Sequence, residues 1–377
     1  MRDVAVIGAG PVGATLAALA AGRGLDIALF EARPGPSGEA RILALSHGSR
    51  GILEQARAWP APAACITSIH ISQKGGPGRT LLEASEQSLP ALGYTVSYAA
   101  LENALAARLR EASIPIEYGA ACREIALDAE GATVRFASGA QVRARLLVLA
   151  DGGANAARIP GIAFSEKDYA QQAVIGLVST DRPHGDRAYE RFTPRGPMAL
   201  LPVEGRYALV WTASPREAQR LAALDETQFL RELQDSFGDR AGRFTAVAGR
   251  ASFPLKLRTV NTPTALRTVI VGNAAQALHP IAGQGLNLGL RDAASLAAAI
   301  ASTESERIGD AGMLSAYRES RRRDAARGVA FTDFLVGAFA DSRRIPTWGR
   351  GLALAALDLF PPARRALASR MIHGASR

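Results

Sequence analysis

The sequence predicts an α/β protein: a parallel-sheet domain assembled from discontinuous segments, an inserted β-sheet domain and a helical C-terminus. Three observations carry this. Short apolar strands joined by glycine turns to small-residue helices occur near both ends, around residues 4–31 and 268–292. The stretch 173–253 reads instead as β-rich, and helical patterns dominate from Gly289 onward. At 377 residues the chain exceeds one ordinary domain, in keeping with that division.

Residues 4–7 form a continuous apolar run, the pattern of a strand covered on both faces. Gly8-Ala-Gly-Pro-Val-Gly13 follows, then an alanine-rich helix, then a strand over 27–30 closed by Glu31. This is G-x-G-x-x-G in its required setting and marks a Rossmann-like dinucleotide-binding unit. Gly8 permits the tight turn, Gly10 lets the backbone approach a pyrophosphate, and Gly13 lets the helix pack closely on the sheet. The helix N-terminus offers free N–H groups to phosphates. Glu31 can accept hydrogen bonds from ribose hydroxyls and would repel a 2′-phosphate.

Farther along, residues 80–94 are irregular after the Gly75-Gly-Pro-Gly78 turn, and Leu101, Leu105 and Leu109 share a helical face. Residues 133–136 alternate like an exposed strand, whereas 146–149 are a buried one. Strands over 174–178 and 207–211, a helix over 226–237 and a buried strand over 268–271 complete the pattern. The expected partition is 1–72, 95–165 and 266–340 in the nucleotide domain, 73–94 and 166–265 in the sheet domain, and 341–377 as a C-terminal helical segment.

The formal charge of +9 rests on arginine, since Lys74, Lys167 and Lys256 are the only lysines. No helix-turn-helix, zinc-finger or aromatic-basic pattern accompanies it, so no nucleic-acid partner is expected. Cys65 and Cys122 have no Cys-x-x-Cys partner and read as small buried groups in a reducing setting. No run approaches the roughly 18 apolar residues of a membrane span, and the N-terminus does not read as a signal peptide. A cytoplasmic protein is expected, with contact at the inner membrane left open. The stretch 345–372 mixes apolar residues with arginines, the composition of a segment that lies on a lipid surface, docks a partner or packs on its own domain.

Two later motifs turn a dinucleotide site into an FAD site. The first is a buried strand ending in Asp151-Gly-Gly, with Arg158 seven residues on. The second runs from Gly272-Asn273 through His279-Pro280 to Gly283-Gln-Gly-Leu-Asn287 at the start of a helix. A helix terminus there can aim N–H groups at the N1 and O2 edge of a flavin.

In this order the three motifs resemble the para-hydroxybenzoate-hydroxylase class of FAD-dependent aromatic hydroxylases. With Ala188-Tyr-Glu-Arg-Phe-Thr193, Gly196-Pro197, Arg41-Ile-Leu-Ala-Leu-Ser46 and the run 272–292, the chain is similar to the hydroxylases of ubiquinone biosynthesis over nearly its whole length. The resemblance implies hydroxylation of a polyprenyl phenol with NAD(P)H as a transient co-substrate and O2, through a C4a-hydroperoxyflavin. It implies that Gly8, Gly10, Gly13 and Glu31 hold the ADP half, with Arg41 near the pyrophosphate. Asp151 would serve FAD and reductant, and Asn273 would meet the ribitol. Gly283, Gln284, Gly285, Leu286 and Asn287 would frame the isoalloxazine, with His279 and Pro280 in the same loop.

His279 is a candidate base or a loop histidine that fixes backbone geometry. Three positions depart from the family pattern: Asn273 for aspartate, Asn155 for serine, and Tyr98 for a basic residue. Glu190 and Arg191 either face the substrate or, for at least one of them, form a surface ion pair. Met198 and Trp211 are core or pocket wall. The alternatives are hydroxylation of a small soluble phenol and a non-catalytic flavoprotein subunit of a quinone-biosynthesis complex. Under any of these readings, 341–377 is the segment expected to meet a membrane surface or a quinone-biosynthesis complex.

Overall fold

The computed structural model describes residues 1–39, 41–76, 78–278, 283–340 and 347–374. β1 (Arg2–Ile7) and β2 (Ile27–Glu31) are buried from Asp3 and Ile27 onward. Between them α1 (Pro11–Ala20) opens on a proline, whose missing N–H lies where the first helical turn needs none. β3 (Ile42–Ser46) leads straight into α2 (His47–Gln55), because the Ser46 hydroxyl accepts the Ser49 N–H and caps the helix. β4 (Ala64–Ile66), β5 (Ser68–Gln73), β6 (Arg79–Glu83) and β7 (Gly93–Ser97) follow. α3 (Tyr98–Glu111) is capped by Ser97. Next come β8 (Ile116–Tyr118), β9 (Cys122–Leu127), β10 (Ala132–Phe136) and β11 (Gln141–Leu149).

The long β12 (Phe164–Thr180) begins the second half, followed by β13 (Arg187–Thr193), β14 (Gly196–Val203) and β15 (Arg206–Ala213). α4 (Pro215–Ala223) and α5 (Glu226–Phe237) precede the equally long β16 (Phe244–Val260). Three short strands follow: β17 (Thr264–Ala265), β18 (Thr268–Ile270) and β19 (Gln276–Ala277). The chain then turns helical in α6 (Gln284–Ala301), α7 (Ala311–Ala340), α8 (Thr347–Leu359) and α9 (Pro361–His373).

Among the described residues the strands form three sheets. The first runs β17-β18-β11-β1-β2-β8, with β10 and β9 added beyond β11. β18, β11, β1, β2 and β8 are parallel. The chain leaves β1 toward β2 on one side, while β11 lies on the other, so a crevice opens at the carboxyl end of β1. The second sheet runs β19-β16-β12-β15-β14-β13-β5-β6 and is antiparallel except between β13 and β5. The third, β3-β7-β4, is small.

The core of the first sheet lies between its strands and α1, α3 and α6, where Leu16, Leu29, Leu101, Val148 and Leu290 are fully buried. α4 and α5 cover one face of the second sheet, packing Phe229 and Phe237 against Trp211 and Met198. Met198 and Trp211 are therefore core.

The structure moves several expected boundaries. Ser68–Ser72, assigned from sequence to the nucleotide segment, belong to β5 of the second sheet, and Gly93 and Tyr94 belong to β7 of the third. Residues 79–83, irregular by sequence pattern, are the strand β6. Its alternation is only five residues long, and its partners β5 and α8 make it a strand: the Thr80 hydroxyl donates to the Leu354 carbonyl at 2.7 Å, and the Leu81 N–H to Asp358 at 3.0 Å. α8 thereby covers a sheet edge that would otherwise present unpaired backbone groups. Cys65 and Cys122 are free thiols in β4 and β9. No helix among the described residues is long and apolar enough to cross a membrane.

Candidate functional site

The glycine turn sits in the crevice. Gly8 takes φ +102°, and a Cβ there would lie 2.6 Å from the Ala150 carbonyl oxygen. Gly13 is as tightly placed, since a Cβ at this position would stand only 2.2 Å from the Gly8 carbonyl oxygen. Gly10 differs: a Cβ would meet only the Tyr98 hydroxyl, at 3.7 Å, so the middle of the turn faces open space. That is the shape a pyrophosphate needs beside a helix N-terminus.

Around the turn lies a cluster that sequence reading found only in part. The Glu31 carboxylate accepts the Ala9 N–H at 3.0 Å, the Arg33 N–H at 3.1 Å and the Arg33 guanidinium at 3.0 Å. Arg33 also bonds Glu102, which accepts the Ser37 N–H and hydroxyl. Burial alone would raise the Glu31 pKa, but the Arg33 side chain and backbone and the Ala9 N–H outweigh it and hold the carboxylate below its ordinary 4.5. Arg33, Ser37 and Glu102 carry no motif of their own, and only the closeness of Arg33 to Glu31 hints at them in sequence.

Arg41 stacks over Tyr98, 4.9 Å from the ring centroid, and pairs with Glu39. Burial, with Glu102 nearby, raises the Tyr98 phenol above its usual value, so it stays a proton donor beside Gly10. The departure from a basic residue at position 98 thus places a neutral donor under a cation.

Because its lowered pKa implies stability present above about 4.5 and lost as the pH falls through the folded value, Glu31 makes a pH prediction. Glu31→Gln should melt a few degrees below wild type at neutral pH, and the gap should narrow below about pH 4.5. Parallel melting curves from pH 7 to 3 would show that the carboxylate contributes nothing.

Asp151 lies just beyond β11, beside Gly8. Its oxygens accept the Gly153 and Asn155 N–H groups and the Asn155 amide, at 2.7–2.9 Å. Asn155 therefore closes this turn itself. Across the crevice Asn273 is exposed, with its amide oxygen 3.8 Å from where a Gly285 Cβ would stand. α6 begins with Gly283 at its N-cap in a left-handed conformation, and no side chain caps it there. Gln284 is buried and Gly285 and Leu286 follow in the first turn.

Asn287 works differently from the expected flavin contact. Its oxygen accepts the Ser46 N–H at 2.8 Å and the Ser49 hydroxyl at 2.7 Å, and its amide donates to the Ala44 and Gly283 carbonyls. Every valence of the amide is spent locking the β3–α2 corner to the α6 start. His279 and Pro280 lie outside the described residues.

A cavity partly open to solvent lies between the second sheet and the α6 start. Gly283, Gln284 and Asn287 border one end, and Ile69, Leu82, Leu92 and Met371 the other. Glu190 lines it, whereas Arg191, next on the strand, points to the opposite face, where its guanidinium donates to Ser72 Oγ at 3.1 Å. Arg191 is 6% exposed, so it is no surface group; burial and neighbouring Arg240 push its pKa down to about 10.

Comparison with known proteins agrees with this geometry. The FAD binding domain family matches residues 1–332. The chain is 32% identical to ubiquinone hydroxylase UbiL of Rhodospirillum rubrum, over 97% of this chain and 88% of that one. It is also 32% identical to the 3-demethoxyubiquinol 3-hydroxylase of Escherichia coli, over 78% of each. The crystal structure of p-nitrophenol 4-monooxygenase PnpA from Pseudomonas putida superposes with a TM-score of 0.77 at 20% identity, covering 100% of this chain and 99% of that one. A glycine turn shaped for a pyrophosphate, an uncapped helix start facing an apolar cavity, and relatives of this kind lead to one statement: the chain belongs to the FAD-dependent aromatic hydroxylases of ubiquinone biosynthesis.

Proposed function

We propose that the protein hydroxylates the aromatic ring of a polyprenyl phenol, with NAD(P)H and O2 as co-substrates. The observation that carries this reading is the cavity: its walls are largely apolar, and it ends at the helix start where the flavin ring would lie. When bound here, FAD would supply the redox chemistry that carries electrons from NAD(P)H to O2 and one oxygen atom of O2 to the ring.

The residues of this chain bind, orient and exclude water. The Gly8–Gly13 turn and the α1 N-terminus hold the pyrophosphate, with Arg41 and the Tyr98 hydroxyl beside it. Glu31 and Arg33 together meet the ribose, and Asp151 shapes the loop at the adjoining edge. Asn273 reaches the ribitol. Gly283, Gln284, Gly285 and Leu286 present backbone N–H groups to the flavin, and Asn287 holds them in place. The apolar walls keep water from the reacting ring.

Hydroxylation of a small aromatic acid would call for a cation to clamp its carboxylate. No lysine or arginine is among the described residues lining the cavity, which favours a lipophilic phenol. The same reading includes lipid contact through the C-terminal helices. Ala368, Met371 and Ile372 of α9 wall the cavity, while Leu352, Leu359 and Phe360 stand 56%, 83% and 59% exposed. Two measurements test the proposal. Purified protein should show a flavin spectrum and oxidise NAD(P)H faster when a polyprenyl phenol is added. A strain lacking the protein should accumulate the unhydroxylated quinone precursor; undiminished quinone synthesis would refute the reading.

A further inference from the structure

The cavity-facing side of the second sheet carries one charge in an otherwise apolar row. Across the strands the register pairs Ile71 with Glu190, Glu190 with Ala199, Ala199 with Val210, and Val210 with Ile175. Ala188, two residues before Glu190, pairs with Ile69 and continues the apolar surface. A carboxylate on such a face is costly unless polar groups meet it.

Three other polar side chains around the cavity, those of Tyr189, Ser46 and Asn287, are turned to structural use. The Tyr189 hydroxyl donates to the Arg240 carbonyl at 3.0 Å, away from the cavity. Ser46 Oγ caps α2, and the Asn287 amide is fully engaged. Glu190 is the only carboxylate among the described lining residues. Its two oxygens offer about four acceptor sites, so it can accept from a ligand hydroxyl in addition to any protein donor. It shares the cavity with Gly283 and Gln284, where the flavin would lie.

We propose that Glu190 receives the ring hydroxyl of the phenol, fixing which edge of the ring faces Gly283 and Gln284 and taking up the hydroxyl proton during attack. This rests on the function proposed above. The phenol O–H bond breaks and its electron pair moves through the ring toward the carbon that forms the new C–O bond. The proton passes to a Glu190 oxygen. The new C–O bond forms as the O–O bond of the O2-derived oxygen donor breaks. The Glu190 proton returns to the ring oxygen as the attacked carbon loses its own proton and the ring regains aromaticity, and that carbon proton leaves with the second oxygen atom in water. The oxygen atom and reducing electrons come from O2 and NAD(P)H, which the family's reaction consumes.

The test compares wild type with Glu190→Gln and Glu190→Asp, each checked for FAD content and melting temperature. Substrates are a polyprenyl phenol, a short-chain alkylphenol and the methyl ether of each. A general base contributes about 10²–10⁴-fold. Glu190→Gln should therefore lose about 100-fold or more in product formed and form less product per NAD(P)H consumed, with Glu190→Asp recovering part of both. Wild type should favour phenols over their methyl ethers, and Glu190→Gln should lose that preference. Product formation by FAD-loaded Glu190→Gln within about threefold of wild type overturns the inference while leaving the proposed function standing. Wild-type turnover of neither phenol would overturn the proposed function, and this inference with it.

Discussion

Replacing Gly13 by valine is expected to abolish flavin retention. A Cβ at this position would lie 2.2 Å from the Gly8 carbonyl oxygen and 3.1 Å from Ala150 Cβ and Val6 Cγ1. Gly8 cannot retreat, because its own Cβ position is blocked by the Ala150 carbonyl and its N–H is held by the Phe30 carbonyl at 2.8 Å. The helix must therefore lift from the sheet, carrying its N–H groups away from the place proposed for the pyrophosphate. Overpacking of this kind costs about 1–3 kcal/mol or more. A shift at the upper end weakens binding by about 100-fold. The ratio of flavin absorbance to protein absorbance after purification reads the effect directly, and a full complement of FAD would refute it. Gly51 in α2 provides the contrast: nothing lies within 4 Å of a Cβ there, so Gly51→Ala should retain flavin fully.

Asp292→Ala is expected to have the largest effect on stability. Asp292 is buried at 3% exposure and accepts the Gly272 N–H at 3.1 Å, the Gln276 amide and the Arg321 guanidinium at 2.8 Å. Arg321 also bonds Asp324 at 2.7 Å, which Arg291 meets at 2.8 Å. Burial raises the Asp292 pKa above its usual value, and Arg321, the Gly272 N–H and the Gln276 amide oppose this only in part.

The alanine variant leaves Arg321 buried without one of its counter-ions, a defect worth about 3–5 kcal/mol. It also frees the Gly272–Asn273 backbone, so flavin should dissociate at a lower temperature than wild type. Parallel melts followed by circular dichroism and by flavin fluorescence separate the two effects. Unchanged transitions in both would show that the network holds neither fold nor cofactor loop.

The same contrast between local and distant causes explains what is legible in the sequence. The unit β1–α1–β2 is legible because its demands are local: Gly8 and Gly13 have no room for a side chain, and Glu31 ends a buried strand. The start of α6 is legible for the same reason, since Gly283 takes a left-handed turn just before it. The side-chain role of Asn287 is not, because its partners Ser46 and Ser49 lie about 240 residues away in sequence. Arg191 reads as a possible surface group in sequence because a charge in a strand carries no sign of which face will be covered.

By itself the sequence determined a dinucleotide turn, a glycine-led helix start at Gly283 and the order of the segments that build them, since each depends on backbone room within a few residues. Only the tertiary structure decided that β5 and β6 join the second sheet, that α8 and α9 cover its edge and wall the cavity, and that Glu190 rather than Arg191 faces inward. Those outcomes depend on which surfaces meet across hundreds of residues, where burial and register, not local propensity, select the partner.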